Sequence, residues 1–114
     1  MSLVSLVLAK QHLRVSGTAE DALIGLYLGA AENAAMRYMN RKVYENATAM
    51  GAAVLAGTAG TDPMVVEPDI QAAVLLTLGH LYENREDVVP GVSVTDLPKG
   101  SQHLLQPYRV EMGI

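Results

Sequence analysis

Residues 19–42 have the sequence AEDALIGLYLGAAENAAMRYMNRK, in which apolar side chains recur at steps of three and four. This spacing places them along one side of an α-helix, because a helix has 3.6 residues per turn. The pattern therefore predicts a long helix from Ala19 to about Asn40 with one broad buried face. The positions predicted to be buried are Leu23, Ile24, Tyr27, Leu28, Ala31, Ala34, Ala35, Tyr38 and Met39.

The start and the interior of this helix carry informative residues. Thr18 and Asp21 have the spacing of a capping box, in which side chains bind the free N–H groups of the first turn. Gly25 and Gly29 would each cost up to about 1 kcal/mol relative to Ala inside a helix. Because the two glycines are four residues apart, we expect a second helix to approach closely there, either from this chain or from another subunit.

Two further helices are predicted on either side of this one. A short helix is expected over residues 5–14. A second long helix is expected to begin at Pro68 and Asp69, which suit a first turn, and to run to about Asp87. Its apolar positions cover more than one stripe, as in a central helix or one that faces a partner. They are Ile70, Ala73, Val74, Leu76, Thr77, Leu78, Leu81 and Tyr82.

The segment between the long helices is rich in Ala and Gly. Its only helix-compatible part is residues 47–56, for which we predict a weak short helix followed by a loop. Side chains this small bury too little surface to offset the entropy lost on ordering. We therefore expect residues 45–61 to be the least ordered internal part of the chain.

The C-terminal part is divided by prolines. A short extended piece is predicted at residues 92–94, and a last helix is predicted to open at Pro98 and to be closed by Pro107. The tail, residues 108–114, is amphipathic and is expected to join a sheet edge or to pack on a neighbour. Together these elements predict an all-α fold: a small bundle with two long antiparallel helices, two short helices and an irregular middle segment.

Length and composition agree with a single helical domain over residues 1–114. A chain of 114 residues buries enough surface for one modest core. Because it contains no Trp, no Phe and only five Tyr, that core must consist of Leu, Val, Ile, Met and Ala. No apolar run approaches the length of a membrane span, so no membrane association is expected.

Several chemistries find no support in the sequence. The absence of Cys excludes disulfides, thiolate zinc sites and cysteine nucleophiles. His80, Glu83 and Glu86 resemble half of a carboxylate–histidine metal site, but the long second helix offers no histidine to complete it. No nucleophile elbow or phosphate-binding loop is present. We therefore expect no enzyme, no catalytic residue, no cofactor and no bound metal.

The charge is unevenly distributed along the chain. The net charge is −4, with +2 in residues 1–42 and −6 in residues 43–114. An acidic half argues against tight binding to nucleic acid, which requires a basic stripe to neutralise phosphates.

Four stretches carry a resemblance to a known family. They are LAKQHLRV at 8–15, EDALIGLY at 20–27, GHLYENRE at 79–86 and LPKGSQHLLQPYRV at 97–110. In this order and spacing they resemble the head-tail connector family of tailed bacteriophages and prophages, small helical adaptors that form a ring beneath the portal. The chain departs from that family at Leu81, where many relatives carry an aromatic residue, and in its long middle segment.

The resemblance implies a structural virion assembly protein without catalysis. It would form a homo-oligomeric ring that binds the portal protein and tail-side completion proteins, while DNA passes through the channel without specific binding. Its location would be the head-tail junction of the virion, and the host cytoplasm during assembly. The alternative is a small helical regulatory or nucleic-acid-binding module, and a weaker third is a metal-dependent enzyme of bundle type.

Residue type and spacing give the candidates for an interface. Tyr and Arg supply large amphipathic contacts and paired hydrogen bonds, and both are enriched at interfaces. The competing interpretation is that Arg85 pairs with an acid on its own helix and that Arg109 lies over the core. The interface candidates are Gly25, Gly29, Tyr82, Glu83, Arg85, Tyr108 and Arg109.

Overall fold

The computed structural model describes residues 3–60, 62–83 and 97–110 and confirms an all-α fold. Two very short strands interrupt the helices. The elements are α1 (Leu6–Leu13), α2 (Asp21–Met39), β1 (Val43–Tyr44), α3 (Ala47–Ala56), β2 (Met64–Val65), α4 (Pro68–Glu83), α5 (Lys99–Leu105) and a 3₁₀ turn (Gln106–Tyr108).

The core forms where α2 and α4 pack antiparallel, as predicted. Tyr82 near the end of α4 binds Glu20 just before α2, and Tyr108, which follows α5, reaches Asp69 at the start of α4. The core is aliphatic because each long helix turns its branched or small side chains inward. Its buried members are Leu3, Val4, Ala9, Ile24, Leu28, Ala31, Ala35, Met39, Val43, Ile70, Ala73, Val74, Leu78, Leu97 and Leu105.

A small polar cluster attaches α5 to α4. The hydroxyl of Ser101, which is fully buried, donates to the carbonyl of Ala73 at 3.0 Å and lies 2.9 Å from the hydroxyl of Thr77. Thr77 in turn donates to the same Ala73 carbonyl at 2.9 Å. Each buried hydroxyl thus has a partner, as the interior of a protein requires.

The predicted capping role of Thr18 is wrong. The N-cap of α2 is Glu20, whose side chain makes no capping hydrogen bond, and Thr18 contributes only its carbonyl, which accepts from the N–H of Asp21 at 3.3 Å. The physical reason is that the helix begins at Asp21 with Glu20 as its N-cap, two residues after Thr18. The Asp21 carboxylate is also engaged elsewhere, with an oxygen 2.8 Å from the Lys10 ammonium of α1. This ion pair joins the first two helices.

The middle segment contains one predicted element and one that was not predicted. Helix α3 occupies the predicted residues 47–56, and its first turn is capped by the Asn46 side chain, which accepts from the N–H of Ala49 at 2.8 Å. The strands that flank it pair in parallel, with Val43 opposite Met64 and Tyr44 opposite Val65. A two-residue strand is too short to show an alternating pattern in the sequence.

The C-terminal part follows the prediction at its start and differs at its end. Helix α5 begins directly after Pro98, but Pro107 lies inside the 3₁₀ turn instead of ending the helical path, because proline is tolerated in a first turn. The chain then returns to α2, where the N–H of Val110 donates to the carbonyl of Met39 at 2.8 Å. The predictions for residues 84–87, 92–94 and 111–114 lie outside the described residues.

Low order in residues 45–61 remains a prediction. We expect the amides of α3 to exchange with solvent faster than those of α2 and α4, because none of its side chains is buried. Hydrogen exchange followed by mass spectrometry on peptides from each helix measures this directly. Strong protection across the whole of residues 45–61 would contradict the prediction.

Candidate interaction surfaces

The side of α2 that points away from the core forms a surface without charge over most of its length. We call it the outer face of α2. An ideal Cβ atom built on Gly25 or Gly29 meets no atom within 4 Å in the described part of the chain. The outer face consists of Ala22, Gly25, Leu26, Gly29, Ala30, Asn33 and Arg37.

This emptiness bears on the intrachain alternative for the glycine pair. No described helix of the same chain approaches Gly25 and Gly29, so the intrachain version of the prediction is not found. Approach by another subunit stays a prediction. On the same surface Leu26 has 68% of its area exposed, so a large apolar side chain is available for contact there.

A cleft lies at the C-terminal end of the outer face. It is open to solvent and has a volume of about 530 Å³. Its lining is mostly apolar, and the Lys42 ammonium at its edge is already held by the carbonyl of Thr58 at 2.8 Å. The lining residues are Asn33, Met36, Arg37, Lys42, Val43 and Tyr44.

Helix α3 is a second surface without charge. Residues 47–56 include no charged side chain, and none of them is buried. Ala49, Met50 and Ala53 are half-buried, whereas Leu55 is 91% exposed. An isolated helix of this length is marginal in water, so its caps and the neighbouring strands hold it in place.

The candidates at the end of α4 divide into three cases. The hydroxyl of Tyr82 donates to the carboxylate of Glu20, which ties the end of α4 to the start of α2. Glu83 is exposed at the last described residue of α4. Arg85 lies outside the described residues, so its predicted role is not addressed.

The candidates at the C-terminus contact their own chain. The guanidinium of Arg109 lies 4.8 Å from the centre of the Tyr38 ring, in a cation–π contact. The Tyr108 hydroxyl donates to Asp69 at 3.3 Å, and its carbonyl accepts from Arg41 at 3.4 Å. Partial burial, together with the negative charge and hydrogen bonding of Asp69, raises the pKa of Tyr108 above its ordinary value of 10.0. These side chains fasten the C-terminal turn to the bundle.

A buried carboxylate was missed in the sequence. One oxygen of Glu32, a residue only 6% exposed, accepts from the N–H of Leu3 at 2.7 Å and of Val4 at 3.0 Å. Gln71 from α4 donates to the carbonyl of Leu3 at 3.1 Å. Both long helices therefore make hydrogen bonds to the N-terminal segment. The signal was present, because Glu32 stands four residues after Leu28 and three before Ala35, inside the apolar stripe.

The described residues offer little for chemistry. In residues 3–60, 62–83 and 97–110 there is no group of three His, Cys, Asp or Glu side chains that could hold a metal ion. None of the described helices is both long and apolar enough to cross a lipid bilayer. What the structure does present is the outer face of α2, with charge only at its C-terminal end, the uncharged helix α3 and an open cleft, features that suit contact with other proteins.

The chain is a small helical protein whose described surfaces suit contact with other proteins. The family model described as "Phage gp6-like head-tail connector protein" matches residues 4–109. The chain therefore belongs to the phage gp6-like head-tail connector family. No curated protein matches the chain, and no solved structure matches it.

Membership of this family assigns a structural role in phage assembly, which implies a protein without enzymatic activity. It also implies contacts with portal or tail proteins and a place in the virion at the head-tail junction.

Removal of the Glu32 carboxylate should weaken the fold. In Glu32→Ala the N–H groups of Leu3 and Val4 lose their buried acceptor, which costs about 1–3 kcal/mol. Urea denaturation measures the loss, and the matched control is Glu83→Ala, whose exposed side chain should change the free energy of unfolding by less than about 0.5 kcal/mol. Equal stability of the two variants would show that Glu32 does not hold the N-terminal segment.

Proposed function

We propose that this protein is a ring-forming adaptor between the portal and the tail at the phage head-tail junction. The observation that carries the proposal is the family match over residues 4–109, which includes all the helices of the bundle. The subunits assemble around the DNA exit channel in the virion, after synthesis in the host cytoplasm, and they perform no chemical step.

The surfaces of the molecule support this role. The outer face of α2 carries no charge before Arg37 at its end, and helix α3 carries none. No described residue covers the space at Gly25 and Gly29, and Leu55 of α3 is exposed. A subunit with two different contact surfaces binds its neighbours head to tail, and such contacts produce a ring when the rotation closes. An enzyme would instead be expected to gather polar groups in a pocket.

The regulatory or nucleic-acid-binding alternative depends on Lys10, Arg14, Arg37, Arg41 and Lys42. Three of these five side chains already have partners inside the chain. Lys10 pairs with Asp21, Arg41 donates to the Asp62 carbonyl at 2.7 Å, and Lys42 donates to Thr58. Engaged cations contribute less to neutralising phosphates, so the structure favours the adaptor over this alternative.

Ring formation is tested with the purified protein and the portal protein of the same phage or prophage. We expect concentrated protein, alone or mixed with the portal, to form closed rings in negative-stain electron microscopy and a discrete heavy species in analytical ultracentrifugation. A monomer alone is compatible with assembly on the portal as a template. A strict monomer at all concentrations that also fails to bind the portal would refute the proposal.

We expect the protein to have little affinity for the DNA that passes it. A subunit of charge −4 releases few counterions and repels phosphates, so we expect weak or no binding to duplex DNA at physiological salt. A gel-shift titration across salt concentrations, with phage and host genomic fragments, provides the measurement. Tight, salt-sensitive retention would favour the regulatory module and argue against the connector role.

A further inference from the structure

Helix α3 and the outer face of α2 complement each other in shape. Leu55 projects from α3 with 91% of its area exposed, while Gly25 and Gly29 leave open space on the outer face of α2. A projecting leucine needs a site without side chains, and a glycine pair one helical turn apart provides one. Both surfaces are uncharged between their ends, so contact between them would bury no unpaired charge.

The ends of the two surfaces complement each other in charge. Glu45 stands just before α3, and Arg37 stands at the C-terminal end of the outer face of α2. Both side chains are exposed, and neither has an ion-pair or hydrogen-bond partner within the part of the chain that the structure describes. An acid at one end of α3 and a base at one end of the outer face of α2 would fix the direction in which the two helices lie against each other.

The lengths agree when the two helices run antiparallel. Leu26 and Arg37 lie about 16 Å apart along α2 at helical rise. Asn46 and Leu55 are separated by about 13 Å at the same rise, and Glu45 precedes Asn46 in extended backbone, which adds up to about 3 Å. If Glu45 of one copy meets Arg37 of another, Leu55 therefore falls beside Leu26, over the glycine pair. The antiparallel arrangement also sets opposite ends of the helix dipoles side by side.

Within the described part of one chain, α3 does not cover the glycine pair of α2. It packs against β1 and β2, and no described residue occupies the space over Gly25 and Gly29. The half-buried positions of α3, which include Met50 and Ala53, face its own strands, so Leu55 points to the opposite side. Each copy therefore offers one projecting helix and one receiving face.

We propose that α3 of one copy lies antiparallel along the outer face of α2 of the next copy, with Leu55 over Gly25 and Gly29 and Glu45 beside Arg37. This inference rests on the proposed ring-forming function and assigns the surfaces that meet. The occupant of the outer face of α2 is a second copy of this chain. Because the two surfaces differ, the contact is head to tail and repeats from copy to copy.

Disulfide trapping tests the pairing directly, because the natural chain contains no cysteine. The variants Leu26→Cys and Leu55→Cys, one of them carrying a size tag, are mixed at high concentration and oxidised. The expected result is a mixed dimer that exceeds either same-variant dimer. The control pair is Leu55→Cys with Leu76→Cys, because Leu76 is also exposed but lies on α4. Equal trapping in the two mixtures would overturn the pairing.

Substitutions test the energetics of the same contact. Leu55→Glu should weaken self-association by about tenfold or more, whereas Leu76→Glu should not. Arg37→Glu and Glu45→Arg should each weaken it, and the double variant should recover because the charge pair is restored in the opposite sense. Circular dichroism of each variant verifies that the helices remain folded. Failure of the double variant to recover would contradict the proposed orientation.

The outcomes separate this inference from the proposed function. If the natural protein forms rings but Leu55→Glu forms them equally well, the connector role stands and the assigned surfaces are wrong. Efficient trapping of Leu55→Cys with itself would indicate a symmetric contact and overturn the head-to-tail pairing. If Leu26→Cys forms its disulfide with a cysteine of the portal protein, and not with Leu55→Cys, the outer face of α2 is a portal-binding site and the proposed pairing is overturned. A protein that neither self-associates nor binds the portal would overturn both proposals.

Discussion

The antiparallel packing of α2 against α4 is the constraint on which the other parts of the structure depend. The two helices meet through aliphatic and small side chains, and alanines such as Ala31, Ala35 and Ala73 let their backbones come close. The chain has no Phe or Trp, and the tyrosines of the two helices pack at the margin of the core, where they are only partly buried. Close packing of small groups supplies the cohesion that aromatic residues provide in other cores.

The smaller elements are attached to this pair by specific polar contacts. Glu32 holds the N-terminal segment, Ser101 fixes α5, and the Lys10–Asp21 ion pair connects α1 to α2. The Glu32 and Ser101 contacts join residues 28 or 29 positions apart, and the ion pair joins two consecutive helices. A few residues therefore fix how the smaller elements pack on the bundle. The buried contacts contribute more than the partly exposed ion pair, because water and salt screen charges near the surface.

Periodicity predicted the helices well, and it failed where local partners or very short elements decide the structure. The apolar stripe of α2 and the limits of α3 could be predicted because both depend on repeated local spacing. The capping role of Thr18 was wrong, because the helix begins later, at Asp21, and the Asp21 carboxylate pairs with Lys10 of another helix. Glycine spacing predicted a contact face at Gly25 and Gly29, but only the structure shows that no described residue of the same chain covers it. The exposure of Leu55 depends on tertiary placement and left no trace in the sequence.

The parallel pairing of β1 with β2 has a consequence for how such a protein can change over time. Because β1 pairs with β2, the segment between Tyr44 and Met64 leaves the bundle and returns to it with both of its ends fixed. Insertions in the flexible parts of this segment are inexpensive, because doubling the length of a flexible loop raises its closure free energy by only about 0.6 kcal/mol. Residues in this segment can be inserted, deleted or replaced while the bundle keeps its packing. The helical bundle and helix α3 are therefore free to evolve at different rates.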